Sequence, residues 1–180
     1  MILKDLGQYA TLANIRILNR IRQINGLINY SEQIRNAGNV LICLPGKQDE
    51  FKKVFPKIDV FFDIFPRARL SLLMGDQQGD EKKLAAFRVI RYQPDRFNLL
   101  GLPSNEITRE VTDEHYDITI DTSVSFDFIN TFFVWKSRSN LRVGFDHQKR
   151  NDFYNFIIRR ERSNSPGKAL KVLFRYLGAV

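Results

Sequence analysis

Asp49 and Glu50 follow an apolar run, Val40-Leu41-Ile42-Cys43-Leu44, and a Pro45-Gly46-Lys47 turn. Carboxylates set just after a buried strand, at the start of a helix, can accept a proton from a substrate hydroxyl. The same placement lets them stabilise the helix N-terminus through its dipole, an effect of about 0.3–1 kcal/mol. Both roles stay open at this point. A second polar group, Thr122, Ser123 and Ser125, follows the strand-like run Tyr116-Asp117-Ile118-Thr119-Ile120-Asp121. Its hydroxyls can hold a ligand or cap the next helix. Open parallel sheets bind ligands at the carboxyl ends of their strands, where loops of this kind meet. Lys47, Asp49, Thr122, Ser123 and Ser125 therefore form one candidate crevice, with Asp49 or Glu50 as its candidate base.

Other chemistries lack their residues. His115 and His147 have no H-x-x-x-H or H-E partner, and one cysteine, Cys43, can neither close an internal disulfide nor complete a zinc site. No metal site is expected. No G-x-G-x-x-G follows the first apolar run, no G-x-x-x-x-G-K-[ST] is present, and no G-x-S-x-G precedes a helix. Asp117 and Asp121 lie four apart and do not make the close Asp-x-Asp pair that often serves a metal-bound sugar nucleotide. No cofactor is expected. Cys43, inside an apolar run, reads as a small core residue.

Charge is distributed unevenly. Of 28 Lys and Arg and 20 Asp and Glu, which leave a net charge of +8, eleven basic and only three acidic residues fall within 136–180. The whole excess lies in that last quarter. Such a segment suits a phosphate, nucleic-acid or anionic-lipid surface, or simply a solvated face. Arg159, Arg160 and Arg162, just before the turn-rich Ser163-Asn164-Ser165-Pro166-Gly167, are the candidate polyanion-binding residues. No recognised nucleic-acid motif accompanies them, so nucleic acid is not the favoured partner.

The elements that must position these residues follow from periodicity. Hydrophobic residues make up 43% of the chain and charged residues 27%, ordinary values for a globular domain, so disorder is excluded. No apolar run approaches the roughly 18 residues of a membrane span. Lys4 and Asp5 interrupt any signal-peptide pattern, and a cytoplasmic location is the default expectation. Over residues 8–37, Leu12, Ile15, Leu18, Ile21, Ile24 and Ile28 recur at helical spacing, predicting one long helix or two in sequence, stopped at Gly38. This N-terminal helical extension (1–38) precedes a single α/β domain (39–180). It can pack across that domain or against another chain.

Strands are expected at Val40–Leu44, Arg69–Met74, Tyr116–Asp121 and Arg142–Phe145, with weaker ones at Phe87–Arg91, Asn98–Leu100 and Phe153–Ile158. Helices are expected over about Gln48–Phe65, interrupted by Pro56, from Ser104 as N-cap, over Phe126–Trp135, and over Ala169–Leu177. Residues 76–83 form a loop or short helix. Strands separated by helices argue an α/β, Rossmann-like, doubly wound and mostly parallel sheet with the N-terminal helix added. Val40–Leu44 and Ile118–Ile120, the runs most nearly apolar on both faces, should be adjacent central strands.

Several of these segments together resemble one family. Asn39-Val40-Leu41-Ile42 followed by Asp49, then Val54-Phe55-Pro56, Phe65-Pro66-Arg67-Ala68-Arg69-Leu70, Tyr116–Asp121 and Lys136-Ser137-Arg138-Ser139-Asn140-Leu141-Arg142-Val143-Gly144-Phe145, are similar to the N-terminal domain of ADP-heptose:lipopolysaccharide heptosyltransferases. The likeness spans about residues 39–158. It implies a Rossmann-like domain that receives a sugar acceptor, in a family whose second such domain binds the nucleotide sugar. Asp49 would stand at the family's base, with Gln48 where the family has glycine, and the R-x-G-[FY] segment adds Arg142 to the ligand candidates. The implied partners are an anionic glycan or glycolipid at the inner membrane and a protein supplying the nucleotide-sugar domain, without which the chain is not catalytic alone. The Asp-Ile-x-Ile-Asp strand and Asp152-Phe153-Tyr154 also resemble short bacterial proteins of the Bacteroidetes type, a likeness that carries no function. A nucleic-acid-binding module using the basic quarter, or a structural protein that dimerises through the N-terminal helix, are the alternative expectations.

Overall fold

The structure is a computed structural model that describes residues 5, 7–14, 16, 29–76, 79–93, 95, 97–99, 101–159 and 165–178. Its centre follows from the runs that are buried on both faces. Val40, Leu41, Ile42, Cys43 and Leu44 are fully buried, as are Ile118 and Ile120. Burying each large aliphatic side chain contributes roughly 1.5–3 kcal/mol. The Val40–Leu44 run gains this on both sides of the sheet, whereas Ile118 and Ile120 share one face and the other carries the buried Thr119 and Asp121. They form β1 (Asn39–Cys43) and β4 (Ile118–Asp121), paired in parallel with Val40 opposite Ile118. The described residues include four further strands: β2 (Arg69–Met74), β3 (Arg88–Arg91), β5 (Leu141–Phe145) and β6 (Phe156–Ile158). All pairings are parallel, in the order β3-β2-β1-β4-β5-β6. The expected adjacency of the two central strands holds, and the arrangement is α/β, Rossmann-like and doubly wound.

Alternate residues of the strands feed two cores. Val40, Ile42, Leu70, Leu72, Ile118, Ile120, Leu141 and Val143 share one with helices α3 (Gln48–Val54), α4 (Val60–Ile64) and α8 (Pro166–Gly178). Leu41, Cys43, Leu73 and Ile90 face the other, with α6 (Asn105–Thr112) and α7 (Phe128–Lys136). Leu12, from the helical residues 7–14 (α1), is buried in this second core. The described part of the N-terminal extension thus packs on its own domain. Arg16 reaches Asp152 at 3.0 Å, and Lys149 donates to the Tyr9 hydroxyl at 2.8 Å.

Several expected boundaries move for local reasons. The N-terminal stretch is not one continuous helix. Asn29 is extended (φ −79°, ψ 95°) and its side chain accepts from Glu32 N, so α2 (Tyr30–Arg35) starts anew; Ile15, Leu18, Ile21, Ile24 and Ile28 lie outside the described residues. The stretch 48–65 splits at a 3₁₀ turn, Phe55–Lys57, because Pro56 has no N–H to continue the ladder. Residues 76–83 include the start of a short helix, α5 (Glu81–Leu84), capped by Asp80. Asn98 and Leu99 form a turn and not a strand: Gly101 takes φ 71° and donates to Asn98 O, which closes the backbone on itself. Ser104 caps α6 as expected, accepting from Ile107 N at 3.4 Å. In α8, Ala169, Leu170, Leu173 and Leu177 are buried while Lys168, Lys171 and Arg175 are exposed, so the helix docks by its apolar stripe.

Candidate functional site

After β1 the chain leaves toward the α3 face, and after β4 toward the α7 face. The strand order therefore reverses between β1 and β4, which makes the space between the loops at their carboxyl ends the candidate crevice. Two carboxylates span it in opposite directions. Glu50, on α3, accepts Val124 N at 2.8 Å and Ser125 N at 3.2 Å from the loop after β4. Asp127, from the β4 side, accepts Gly46 N at 2.9 Å with Oδ2, while its Oδ1 caps α7 through Ile129 N and Asn130 N at 3.0 and 3.1 Å. A Cβ on Gly46 would lie 2.9 Å from Asp127 Oδ2 and 3.1 Å from Tyr92 Oη, so this turn approaches too closely for a side chain. Burial raises the Asp127 carboxyl above the usual range, helped by the nearby Asp121 and opposed by its backbone donors. Burial likewise pushes up the Cys43 thiol, with Asp121 and Asp127 adding to the effect, which leaves it a poor nucleophile.

Beneath the loops sits a buried ionic cluster. Asp121, at the end of β4, and Arg150 are both 0% exposed and paired at 2.8 Å. Arg150 also donates to the carbonyls of Phe145 (3.2 Å), Ser123 (2.7 Å) and Ser125 (3.2 Å). The other Asp121 contacts come from Ser123 N, Asn130 Nδ2 and the Tyr154 hydroxyl, at 2.8, 2.9 and 2.8 Å. Burial, then the Asp121 charge, raises the Tyr154 phenol well above its ordinary value, so it stays a donor. The bonds from Arg150 to Ser123 O and Ser125 O and from Ser123 N to Asp121 hold the 122–127 loop from behind and leave the mouth of the crevice to other residues.

The structure brings together some of the expected residues and not others. Lys47 and Asp49 are exposed at the mouth, and neither side chain has a hydrogen-bond or ion-pair partner among the described residues. Ser125 is half-buried in the facing loop. Thr122 and Ser123 are buried, with Thr122 Oγ1 donating to Cys43 O at 2.8 Å and Ser123 Oγ accepting from Asn130 Nδ2 at 2.7 Å. Arg142 lies near the amino end of β5, level with Thr119, half-buried and away from the crevice; burial lowers its pKa. Arg159 is exposed directly after β6, while Arg160 and Arg162 lie outside the described residues. Sequence reasoning missed Asp127, Arg150 and Tyr154. An acid immediately before the largely apolar stretch Phe128–Val134 is an N-cap signal that points to Asp127; the other two carry no local signal.

Among the described residues, no group of three or more His, Cys, Asp or Glu is placed to hold a metal ion. Nor is any described helix long and apolar enough to cross a membrane.

The fold is glycosyltransferase-like. A glycosyl transferase family 9 protein from Veillonella parvula DSM 2008 superposes with a TM-score of 0.59 at 17% identity, over 82% of this chain and 43% of that one. The E. coli heptosyltransferase WaaC, solved with ADP, gives 0.56 at 14% identity, over 77% and 46%; solved with ADP-2-deoxy-2-fluoro heptose it gives 0.57 at 15%, over 77% and 47%. This chain spans under half the length of each, and at such identities the likeness shows the fold alone. No curated protein matches the sequence. A family model described as a family of unknown function, DUF6913, matches residues 35–180.

Proposed function

We propose that this chain, which belongs to the DUF6913 family, is an acceptor-binding domain of the glycosyltransferase type. It holds an anionic glycan or glycolipid at the carboxyl ends of β1 and β4, and a separate nucleotide-sugar-binding unit supplies the donor. The observation that supports this reading most is the pair Lys47 and Asp49, exposed and unpartnered among the described residues at the mouth of a crevice in which Glu50, Asp121 and Asp127 are engaged by the protein itself. Asp49 is suited to accept a hydrogen bond from a sugar hydroxyl, and to take its proton when a donor is presented. Lys47 is suited to a phosphate or carboxylate substituent, and the Ser125 hydroxyl to a neighbouring ring oxygen. A membrane-borne acceptor would bring the chain to the inner membrane.

The test is isothermal titration with phosphorylated lipopolysaccharide core oligosaccharide. A charge-assisted hydrogen bond is worth about 1.5–3 kcal/mol, so Asp49→Asn and Lys47→Ala should each weaken binding at least about tenfold. Neutral dextran should not bind. Unchanged affinity in the double variant would remove the crevice from the reading.

The outward cations of α8, with the exposed Arg159, favour a second contact with polyanions. The full chain should be retained on heparin at low salt and released as salt rises, because each neutralised phosphate or sulfate releases counterions. Replacing Arg159, Arg160 and Arg162 together with alanine should lower the eluting salt concentration. Equal retention of the two proteins would make this surface an ordinary solvated face.

A further inference from the structure

Two rules of helix termini are broken in this molecule, and both breaks line one groove. The first is at α7, where Arg138, two residues past the helix end, takes φ 53°; it is the only non-glycine with positive φ among the described residues. Glycine occupies this left-handed position at a helix end without steric cost, and a side chain there is strained. The turn itself is enforced from inside. Thr119 Oγ1 donates to Ser137 Oγ at 2.9 Å, and the buried Ser139 hydroxyl lies 2.9 Å from Thr119 Oγ1 and 3.2 Å from Ser137 Oγ. This clamp accounts for the left-handed backbone but not for an arginine on it. The second break is at α6, whose C-cap is Asp113, an anion at the negative end of the helix dipole.

Neither Arg138 nor Asp113 has a hydrogen-bond or ion-pair partner among the described residues, and Lys136 makes only cation–π contacts there, to Trp135 and Phe132. Glu114, beside them, is already occupied by Arg88 at 2.6 Å. The groove that Asp113, Lys136 and Arg138 line, with Thr108 and Thr112 between, has a volume of about 510 Å³, the size of a small-molecule site. It lies at the amino ends of β4 and β5, at the opposite edge of the sheet from the crevice. Sequences depart from local rules where function requires it, and two independent departures converging on one cavity are hard to account for as surface chance.

We infer that this groove is a second binding site, for a small phosphorylated or carboxylated polyol such as a sugar phosphate. The Arg138 guanidinium and the Lys136 ammonium form a wall for the anionic group, arginine being able to take two of its oxygens at once. Across the groove, the Asp113 carboxylate and the Thr108 and Thr112 hydroxyls face the polyol hydroxyls, which need acceptors as well as donors. The cations of one wall thus meet the anionic group and the acceptors of the other meet its neutral hydroxyls, and neither wall alone would select such a ligand.

The experiment is a titration of the isotopically labelled full chain with glucose 6-phosphate, followed through its backbone amide resonances, with glucose as the uncharged control. Saturable shifts are expected at residues 112–115 and 136–139, with a Kd of about 1 mM, and none with glucose. Arg138→Gly should melt about 2 °C higher, since the strain is gone, yet bind at least about tenfold more weakly. Asp113→Asn should melt no lower and also bind more weakly. Loss of fold therefore cannot mimic loss of binding. The inference is overturned if no shifts appear up to about 20 mM, a concentration well above that Kd. It is equally overturned if both variants bind as the wild type does, or if saturable shifts map only to residues 46–50 and 122–127. That last pattern would assign sugar phosphates to the acceptor crevice and leave the proposed function standing without a second site.

Discussion

Arg150→Met is expected to destabilise the fold by about 3–5 kcal/mol, because it leaves the Asp121 carboxylate buried without its counter-charge. The loss is wider than one ion pair. The carbonyls of Phe145, Ser123 and Ser125 would lose their donor at the same time, around a guanidinium with no exposed side. For a chain of this length the melting temperature should fall by about 10 °C or more, read by calorimetry and checked against the urea midpoint. Asp121→Asn in the Arg150→Met background should recover part of that loss, since the group left behind is then neutral. The neighbouring Lys149 is the natural control. Its exposed ammonium lies over the Tyr9 and Phe126 rings, and Lys149→Ala should cost no more than about 1 kcal/mol. A loss below about 1 kcal/mol for Arg150→Met would show that Asp121 finds other partners, and that the cluster does not shape the 122–127 loop.

The same cluster marks the limit of what is legible in the sequence. β1 is readable because burial on both faces demands a nearly unbroken apolar run, β4 because its isoleucines alternate at strand spacing, and α8 because burial on one face demands a helical stripe. Arg150 obeys neither constraint. It stands in the polar run Asp146-His147-Gln148-Lys149-Arg150-Asn151 and looks like surface charge. Its burial depends on an aspartate 29 residues earlier, a pairing that periodicity cannot express. Asp49 and Glu50 show the opposite case. Their types and location were legible, but not the division of labour between them. Consecutive residues on a helix point about 100° apart, so one carboxylate turns to the facing loop while the other stays in solvent. Which of the two turns inward depends on how α3 leaves β1, and that is set by tertiary packing. The groove between α6 and α7 was invisible for a similar reason, since its two walls come from separate helices that meet only when both pack on the sheet.

Gly144→Ala is expected to reach the cluster by a steric route. Gly144 is buried in β5, and a Cβ there would lie 2.5, 2.7 and 3.2 Å from ring carbons of Tyr154. Contacts that short force the ring to move. The ring has little freedom, as Tyr154 is buried, donates to Asp121 at 2.8 Å and lies under the Arg150 guanidinium at 5.7 Å. Overpacking of this kind costs about 1–3 kcal/mol, and losing the bond to a charged acceptor about 1.5–3 more, so a total of about 3–5 kcal/mol is expected. Tyr154→Phe, which removes the hydroxyl but keeps the ring, should show only the second part. In a Tyr154→Ala background the added methyl meets empty space, and Gly144→Ala should become nearly silent. The coupling measured by that double-mutant cycle should then be at least about 1 kcal/mol. If Gly144→Ala cost the same with and without the Tyr154 ring, the clash would not be the cause. The glycine of the Arg142-Val143-Gly144-Phe145 strand thus has a definite physical role. Its missing side chain leaves the space in which the Tyr154 ring packs on the sheet and reaches the carboxylate of Asp121.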